Sequence, residues 1–398
     1  MILRPLPLLF SLACLLCPPA EAASAAATAA PVASPREAGA AAPAPPALGA
    51  RAWVMMDATT GAVISSQNPD ERLPPASLTK LMTVYITTHE LMAGRLRADD
   101  QVTVSENAWR TGGSRMFITP NSQIRVDDLL HGVVIDSGND AAVALAERIG
   151  GSEAGFAIMM NQAAQRLGLS NTHFMNPTGL PIDDHYSSAR DMALLARSII
   201  RDEAAYYPLY ANKYFTWGGI RQPNRNLLLW RDSSVDGLKT GHTDAAGYCM
   251  VTSAVRHGER LITAVFGSSS MATRASDTEA LLTYGFRFFE TATLQNGRAP
   301  LARPHLWKGQ AESVAVGLAN DLVMTLPRRN HEHFNAHVHL AGALVAPLPA
   351  GSVVGSYDVF DGEDKLVSMP LVTLAPAPEG SWLHCLVDSL RMFFAAHA

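Results

Sequence analysis

Cysteine is scarce in this chain, charge is thin and no stretch is basic. Of four cysteines in 398 residues, Cys14 and Cys17 fall in the first 22 residues, leaving Cys249 and Cys385. Two such residues, one in a strand-like run and one near the C-terminus, exclude a disulfide framework and a zinc site built on thiolates. Charged residues make up 17% and the formal net charge is -5, so nothing points to nucleic acid as a partner. With 48% hydrophobic residues the chain has enough apolar material for two or more domains with a large core.

The N-terminus is dense in other things. Met1 to Arg4 is short and cationic, Leu6 to Leu16 is apolar, and Ala20-Glu21-Ala22 is a small-x-small site, the pattern of an export signal. Ala23 to Gly49 is rich in Ala and Pro with almost no large side chains, which predicts a disordered tether unable to bury surface.

From residue 50 to about 292 helix and strand signals mix. Ala52 to Asp57 reads as a strand, Thr59-Thr60-Gly61 as a turn and Ala62 to Ser65 as its return. Ser77 opens a helical stretch with Leu78, Leu81, Met82, Tyr85 and Ile86 on one face, stopping at Gly94. A second helix is predicted over Val126 to Ile135, with a break at Ser137-Gly138-Asn139 and a resumption from Ala141 to Ile149. Ser188 to Ile200 reads as a helix, and Gly247 to Arg256 with Arg260 to Gly267 as a hairpin around His257-Gly258. Helices gather before strands, so an α+β domain with an antiparallel sheet is expected.

Beyond about Thr293 the texture changes to short β-branched runs: Ser313 to Leu326, Phe334 to Leu340, Val353 to Phe360 and Lys365 to Leu374, the last two joined by a turn at Asp361-Gly362. This predicts a small all-β domain over 293–376. His331, His333, His337 and His339 fall at even spacing on one strand face. No Cys or carboxylate constellation completes a metal site around them, so a solvated face is expected and neither metal nor cofactor. Trp382 to Phe394 places Leu383, Leu386, Val387, Leu390, Phe393 and Phe394 on one helical face. At 13 residues it is too short to span a bilayer, and it either packs on the protein or lies in a membrane surface.

Three strings carry chemistry: Ser77-Leu78-Thr79-Lys80, Ser137-Gly138-Asn139 and Lys239-Thr240-Gly241. Each alone is weak, but S-x-x-K, S-x-N and K-T-G in that order form the signature of penicillin-sensitive serine acyl-transferases. Acyl transfer from an amide needs a nucleophile, a base, oxyanion donors and a cation for a terminal carboxylate. Residues three apart on a helix stand about 5–6 Å apart at Cβ, so Lys80 can reach Ser77 and act as its base once neutral. Burial and a neighbouring cation can make it so, with Lys239 the expected neighbour. Ser137 and Asn139, at a helix break, can relay a proton and hold a substrate amide or Lys80. Lys239 and Thr240 offer a cation and a hydroxyl to a carboxylate ahead of a strand-like stretch. The backbone N–H groups of Ser77 and His242 are the candidate oxyanion donors.

With Pro75 to Lys80, Ser137 to Ala141, Tyr186 to Ala193, Asn224-Arg225-Asn226, Val235 to Thr243 and Leu281 to Phe289, the chain resembles the low-molecular-mass penicillin-binding proteins that are D-alanyl-D-alanine carboxypeptidases. The resemblance implies a β-lactamase-like catalytic domain, then a β-sandwich, then an amphipathic anchor over 377–398. It implies a periplasmic enzyme, peripherally attached to the inner membrane, that removes the terminal D-alanine from peptidoglycan pentapeptides and is inactivated by β-lactams. In that likeness Ser77 is the nucleophile, Lys80 the base, Ser137 completes the triad and Lys239 binds the substrate carboxylate. A class A β-lactamase would carry Asp at position 138 and a further glutamate that activates water, neither of which is recognisable. A transpeptidase or endopeptidase would share the motifs, whereas a non-catalytic wall-binding scaffold would need no intact Ser77 and Lys80. Nothing in the residues fixes an oligomeric state.

Overall fold

The computed structural model describes residues 42–328 and 334–395. The export signal, most of the tether and two of the four strand histidines, His331 and His333, lie outside the described residues.

A five-stranded antiparallel sheet organises the larger part, in the order Val63–Gln67, Ala52–Asp57, Glu259–Ser268, Gly247–Arg256, Val235–Thr243. Its central strands are apolar on both faces because both are covered. Ala52, Val54 and Met56 point into one core with Leu81, Met82, Leu145, Leu195 and Ile199 from the helices Lys80–Met92, Asn139–Gly150 and Ala189–Asp202. Trp53 and Met55 point into the other, against Leu281, Leu282 and Phe286 of the helix Met271–Phe288. Ser188 and Ser270 cap two of these helices by accepting from Asp191 N and Thr273 N.

Four expectations need correction. The nucleophile helix begins at Lys80, preceded by a 3-10 turn over Ala76–Thr79, with Ala76 out of the helical region at φ 47°. The second helix is regular only over Val126–His131; Gly132–Asp136 widens into a π turn, Ser137 reverses the chain at φ 59°, and helix resumes at Asn139 rather than Ala141. Lys239-Thr240-Gly241 does not precede a strand but lies within one, the Val235–Thr243 edge strand. The end of the Ala/Pro tract is not free: Leu48 packs on the second core, Gly49 N donates to Asp277 at 3.2 Å, and Pro43 O accepts from Tyr284 Oη at 2.7 Å.

From Phe289 the chain is β. Phe289–Gln295 pairs with Leu322–Pro327, and a four-stranded sheet runs Val316–Gly317, Asp364–Thr373, Val353–Asp361, Phe334–Leu340. The run Ser313 to Leu326 holds one short strand and most of a second, parted by a bend after which Asp321 accepts from Gly297 N at 2.7 Å. The turn at Asp361-Gly362 is as expected, with Gly362 at φ 60°. Arg328 ties this part to the first, donating to Glu259 at 2.6 Å and to Phe286 O at 3.0 Å. His337 and His339 stand exposed on the Phe334–Leu340 strand, and no group of three or more potential metal ligands occurs among the described residues.

The C-terminal helix, Trp382–Ala395, docks by its polar side. Asp388, 2% exposed, accepts from Lys308 N at 2.8 Å, with His384 at 3.3 Å and Arg391 at 3.6 Å. Trp382, Leu383, Leu386, Leu390 and Phe394 face outward, each more than half exposed. Among the described residues no helix is long and apolar enough to cross a membrane.

Candidate active site

The 3-10 turn, the helix break and the edge strand bring the three motifs together. Gly241 packs so closely on the turn that a Cβ there would stand 3.0 Å from Pro75 O and 3.2 Å from Ser77 N, tight enough that the turn would have to give way by a few tenths of an ångström. Sheet edge and nucleophile are thereby held side by side, and the predicted oxyanion donors, Ser77 N and His242 N, belong to the two segments that meet here.

Two serine–lysine pairs result. Lys80 Nζ donates to Ser77 Oγ at 3.0 Å and to Thr178 O at 2.6 Å. Lys239 Nζ donates to Ser137 Oγ at 2.9 Å and to Thr240 O at 3.1 Å. Both lysines are buried, and burial is the largest influence on each, since desolvation penalises the charged form. Lys80 is brought down to about 7 by burial and then by Arg225, with Asp140 acting in the opposite direction. Lys239 is pressed well below the usual lysine range by burial and then by Lys80, Arg225 and Arg274. Lys239, the cation expected beside Lys80, does interact with it, and Arg225, a residue of the Asn224-Arg225-Asn226 string to which the sequence assigned no role, joins as a further cation that lowers Lys80.

Asn139 donates through Nδ2 to Gly112 O at 2.7 Å, not to Lys80. Its Oδ1 is buried without a protein hydrogen-bond partner among the described residues, leaving an acceptor ready for a substrate amide. Thr240 is buried beside Lys239, whereas His242 is exposed at the strand end, its ring 4.1 Å from that of Tyr248.

Other groups escaped the sequence. Asp140, fully buried, accepts from Met116 N and Phe117 N at 2.9 Å and from Ile118 N at 3.3 Å, pinning the segment that flanks Asn139. Thr178 contributes only a backbone carbonyl, invisible to any reading of side-chain types. Asn176 braces that carbonyl by accepting from Thr178 N at 3.0 Å and Gly179 N at 2.7 Å. Asp136, adjacent to Ser137, is buried with neither carboxylate oxygen partnered among the described residues, and burial raises it to about 7.

Comparisons with known proteins accord with this geometry. Residues 39–270 match the family model described as D-alanyl-D-alanine carboxypeptidase, and residues 289–378 match that of the penicillin-binding protein 5 C-terminal domain. The chain is 41% identical over 362 residues to D-alanyl-D-alanine carboxypeptidase DacA of Escherichia coli (strain K12), covering 88% of this chain and 89% of the relative. Penicillin-binding protein 5 from Haemophilus influenzae superposes with a TM-score of 0.80 at 40% identity, over 84% of this chain and 99% of that one. Penicillin-binding protein D2 from Listeria monocytogenes in its ampicillin-bound form superposes with a TM-score of 0.57 at 32% identity, over 61% of this chain and 100% of that one.

Proposed function

The chain belongs to the D-alanyl-D-alanine carboxypeptidase family, and we propose that it releases the terminal D-alanine of peptidoglycan pentapeptides through an acyl-enzyme on Ser77. The observation that carries this reading is the 3.0 Å bond between Ser77 Oγ and a fully buried Lys80 whose pKa lies near 7. Neutral Lys80 takes the Ser77 proton as Oγ attacks the penultimate carbonyl carbon. The oxyanion is met by Ser77 N–H and His242 N–H, and the substrate's terminal carboxylate by Lys239 and Thr240. An arriving carboxylate favours the charged form of Lys239, opposing the burial that depresses it. When the C–N bond breaks, the proton held by Lys80 is relayed through Ser137, which gives its hydrogen to the departing amine of D-alanine and regains one from Lys80, so that Lys80 is neutral again. Water then attacks the Ser77 ester with Lys80 again accepting the proton. The shortened peptide leaves as a carboxylate, and Ser77 recovers its hydrogen from Lys80. A β-lactam enters by the same first step and stays as an ester.

We assign residues 50–292 to the catalytic domain, 293–376 to the β-sandwich and 377–398 to a membrane anchor, preceded by an export signal over 1–22 and a tether over 23–49. The outward apolar face of the C-terminal helix supports peripheral attachment to the inner membrane, and the Met1 to Ala22 pattern supports a periplasmic location.

Two measurements test the catalytic reading. Purified protein given a pentapeptide ending in D-Ala-D-Ala should release free D-alanine, and labelled penicillin should leave a covalent adduct that maps to Ser77. Ser77→Ala should abolish both, and an adduct persisting on another residue would sink the assignment.

A further inference from the structure

Glu203 is a buried carboxyl that the reaction described above does not use. It follows the helix Ala189–Asp202 and is 1% exposed, and neither of its carboxylate oxygens has a hydrogen-bond partner among the described residues. Tyr210, equally buried, has an Oη without a partner as well. Thr88, which acts on Glu203 from the helix Lys80–Met92, spends its hydroxyl hydrogen on Val84 O at 2.8 Å and has none to give a carboxylate. A buried charge met by nothing is costly, so the group keeps its proton instead: burial raises Glu203 to about 8.

The backbone of Glu203 joins that interior to the edge strand of the cleft. Its N–H donates to Ile199 O at 3.1 Å, closing the helix, and its carbonyl accepts from Tyr206 N at 2.9 Å and Tyr207 N at 3.0 Å, opening the 3-10 turn Tyr207–Ala211. The turn backs the strand two residues before Lys239. Tyr207 Oη donates to Asp236 at 2.6 Å, and a Cβ on Gly237 would stand 3.0 Å from Tyr207 Oη and 3.2 Å from Tyr210 Cβ. Tyr210 O accepts from Asn224 Nδ2 at 3.4 Å, while Asn226 Nδ2 donates to Gly237 O at 3.1 Å. A shift of the turn therefore reaches Lys239 through the strand and Arg225 through its two neighbours.

The groups around Glu203 give it no counter-charge among the described residues. The helix Lys80–Met92 brings Tyr85 and Thr88, with His89 exposed beyond them, and the turn brings Tyr207 and Tyr210. Arg201 and Asp202, at its own helix end, pair with each other at 2.6 Å, as Arg260 and Asp236 do on the strand side at 2.7 Å. Burial raises all three tyrosines, which keep their hydrogens.

We propose that Glu203 is a positioning residue for Lys239: as an uncharged acid it lets the 3-10 turn sit against the edge strand, and on ionising it leaves the interior, draws the turn with it and takes Lys239 out of register with Ser137. This inference rests on the acylation read under Proposed function and sets its alkaline limit.

The test follows penicillin acylation of Ser77 in the full-length protein from about pH 6 to about pH 10. In the unaltered protein the rate should rise through about 7 with Lys80 and fall again with a midpoint near 8. Glu203→Gln and Glu203→Leu cannot ionise, so both should keep the rise and lose the fall, acylating about tenfold faster than the unaltered protein one pH unit above that midpoint. Stability gives a second reading. The raised group contributes stability that is fully present below its unfolded value of about 4.3 and is lost as pH rises to about 8, so the Tm of the unaltered protein should drop across that window relative to Glu203→Gln. The unaltered protein also reports on itself, because the near-ultraviolet circular dichroism of Tyr207 and Tyr210 should change with the midpoint of the falling rate. A fall that persists in the variants, a Tm difference indifferent to pH, or a tyrosine signal constant through the fall overturns the inference. If penicillin labels Ser77 at neutral pH and one of these outcomes is found, the acylation reading stands and the role of Glu203 falls. If Ser77 is labelled at no pH, both fall.

Discussion

The cleft and the C-terminal helix break the usual rule of burial in opposite directions. The cleft buries Lys80 and Lys239, residue types that normally stay in water, and keeps them there with hydrogen bonds to Ser77, Thr178, Ser137 and Thr240. The helix buries its Asp388 and exposes Trp382, Leu383, Leu386 and Leu390. In the cleft, desolvation changes a chemical property, since it lets a lysine be neutral near pH 7 and so accept a proton. On the helix, exposed apolar area leaves free energy unrealised, recoverable by any apolar surface that covers it. Each departure from the rule therefore marks a region that awaits a partner: a reacting amide in one case and an apolar surface in the other, which on the reading proposed above is lipid.

The largest effect should come from Lys80→Arg. It keeps a cation next to Ser77 but cannot give a neutral base, so penicillin acylation should fall about a thousandfold, within the range for removal of a general base. Retention of near-normal acylation would show that the charge, not the neutral form, is what the cleft uses. The pH profile sharpens the same point. Lys80 is protonated below about 7 and neutral above it, so the acylation rate should rise with pH through that region. Arg225 is one of the two causes that lower Lys80, so Arg225→Gln should move the midpoint upward. A downward shift would mean that Arg225 acts on Lys80 by another route.

A smaller, selective loss is expected at Lys239. Replacing it by Gln should cost about a hundredfold in kcat/KM for a peptide with a free terminal carboxylate, the scale of a buried charge-assisted bond. The amidated peptide, already poor, should lose only a few-fold. Equal losses would show that Lys239 serves Ser137 or Lys80 rather than the carboxylate.

The sequence made much of the cleft legible because its key side chains are specified locally. Ser77 and Lys80 meet through a helical turn, and Ser137 and Asn139 through a break that needs one residue at positive φ. The edge position of Lys239 was harder to see, since strand order is a long-range property that no local pattern encodes. Harder still were groups acting through backbone or field: the Thr178 carbonyl, the Asp140 carboxylate under Met116 to Ile118, and Arg225, whose influence on Lys80 depends on the burial of a residue far away in sequence. The helix is the reverse case. Its period was plain, but only the docked structure shows that Asp388 faces the protein and the leucines do not.

The smallest effect on catalysis, and the sharpest contrast with the cleft, should follow from Leu386→Asp combined with Leu390→Asp. Both side chains are about half exposed, at 52% and 53%, so replacing them removes little packing within the protein. The kcat/KM for a soluble peptide should stay within about twofold, as expected for surface positions. Binding to phosphatidylcholine vesicles, read by co-sedimentation, should by contrast be largely lost, because burying each leucine in lipid is worth about 1.5–3 kcal/mol and is replaced by the cost of inserting a carboxylate. High salt should release little of the unaltered protein, since its apolar face rather than Arg391 makes the contact and one cation adds only about 1 kcal/mol on anionic lipid. If the double variant instead loses thermal stability while the unaltered protein never sediments with vesicles, these leucines belong to the protein's own packing. The helix would then obey the ordinary rule of burial, and the cleft alone would break it.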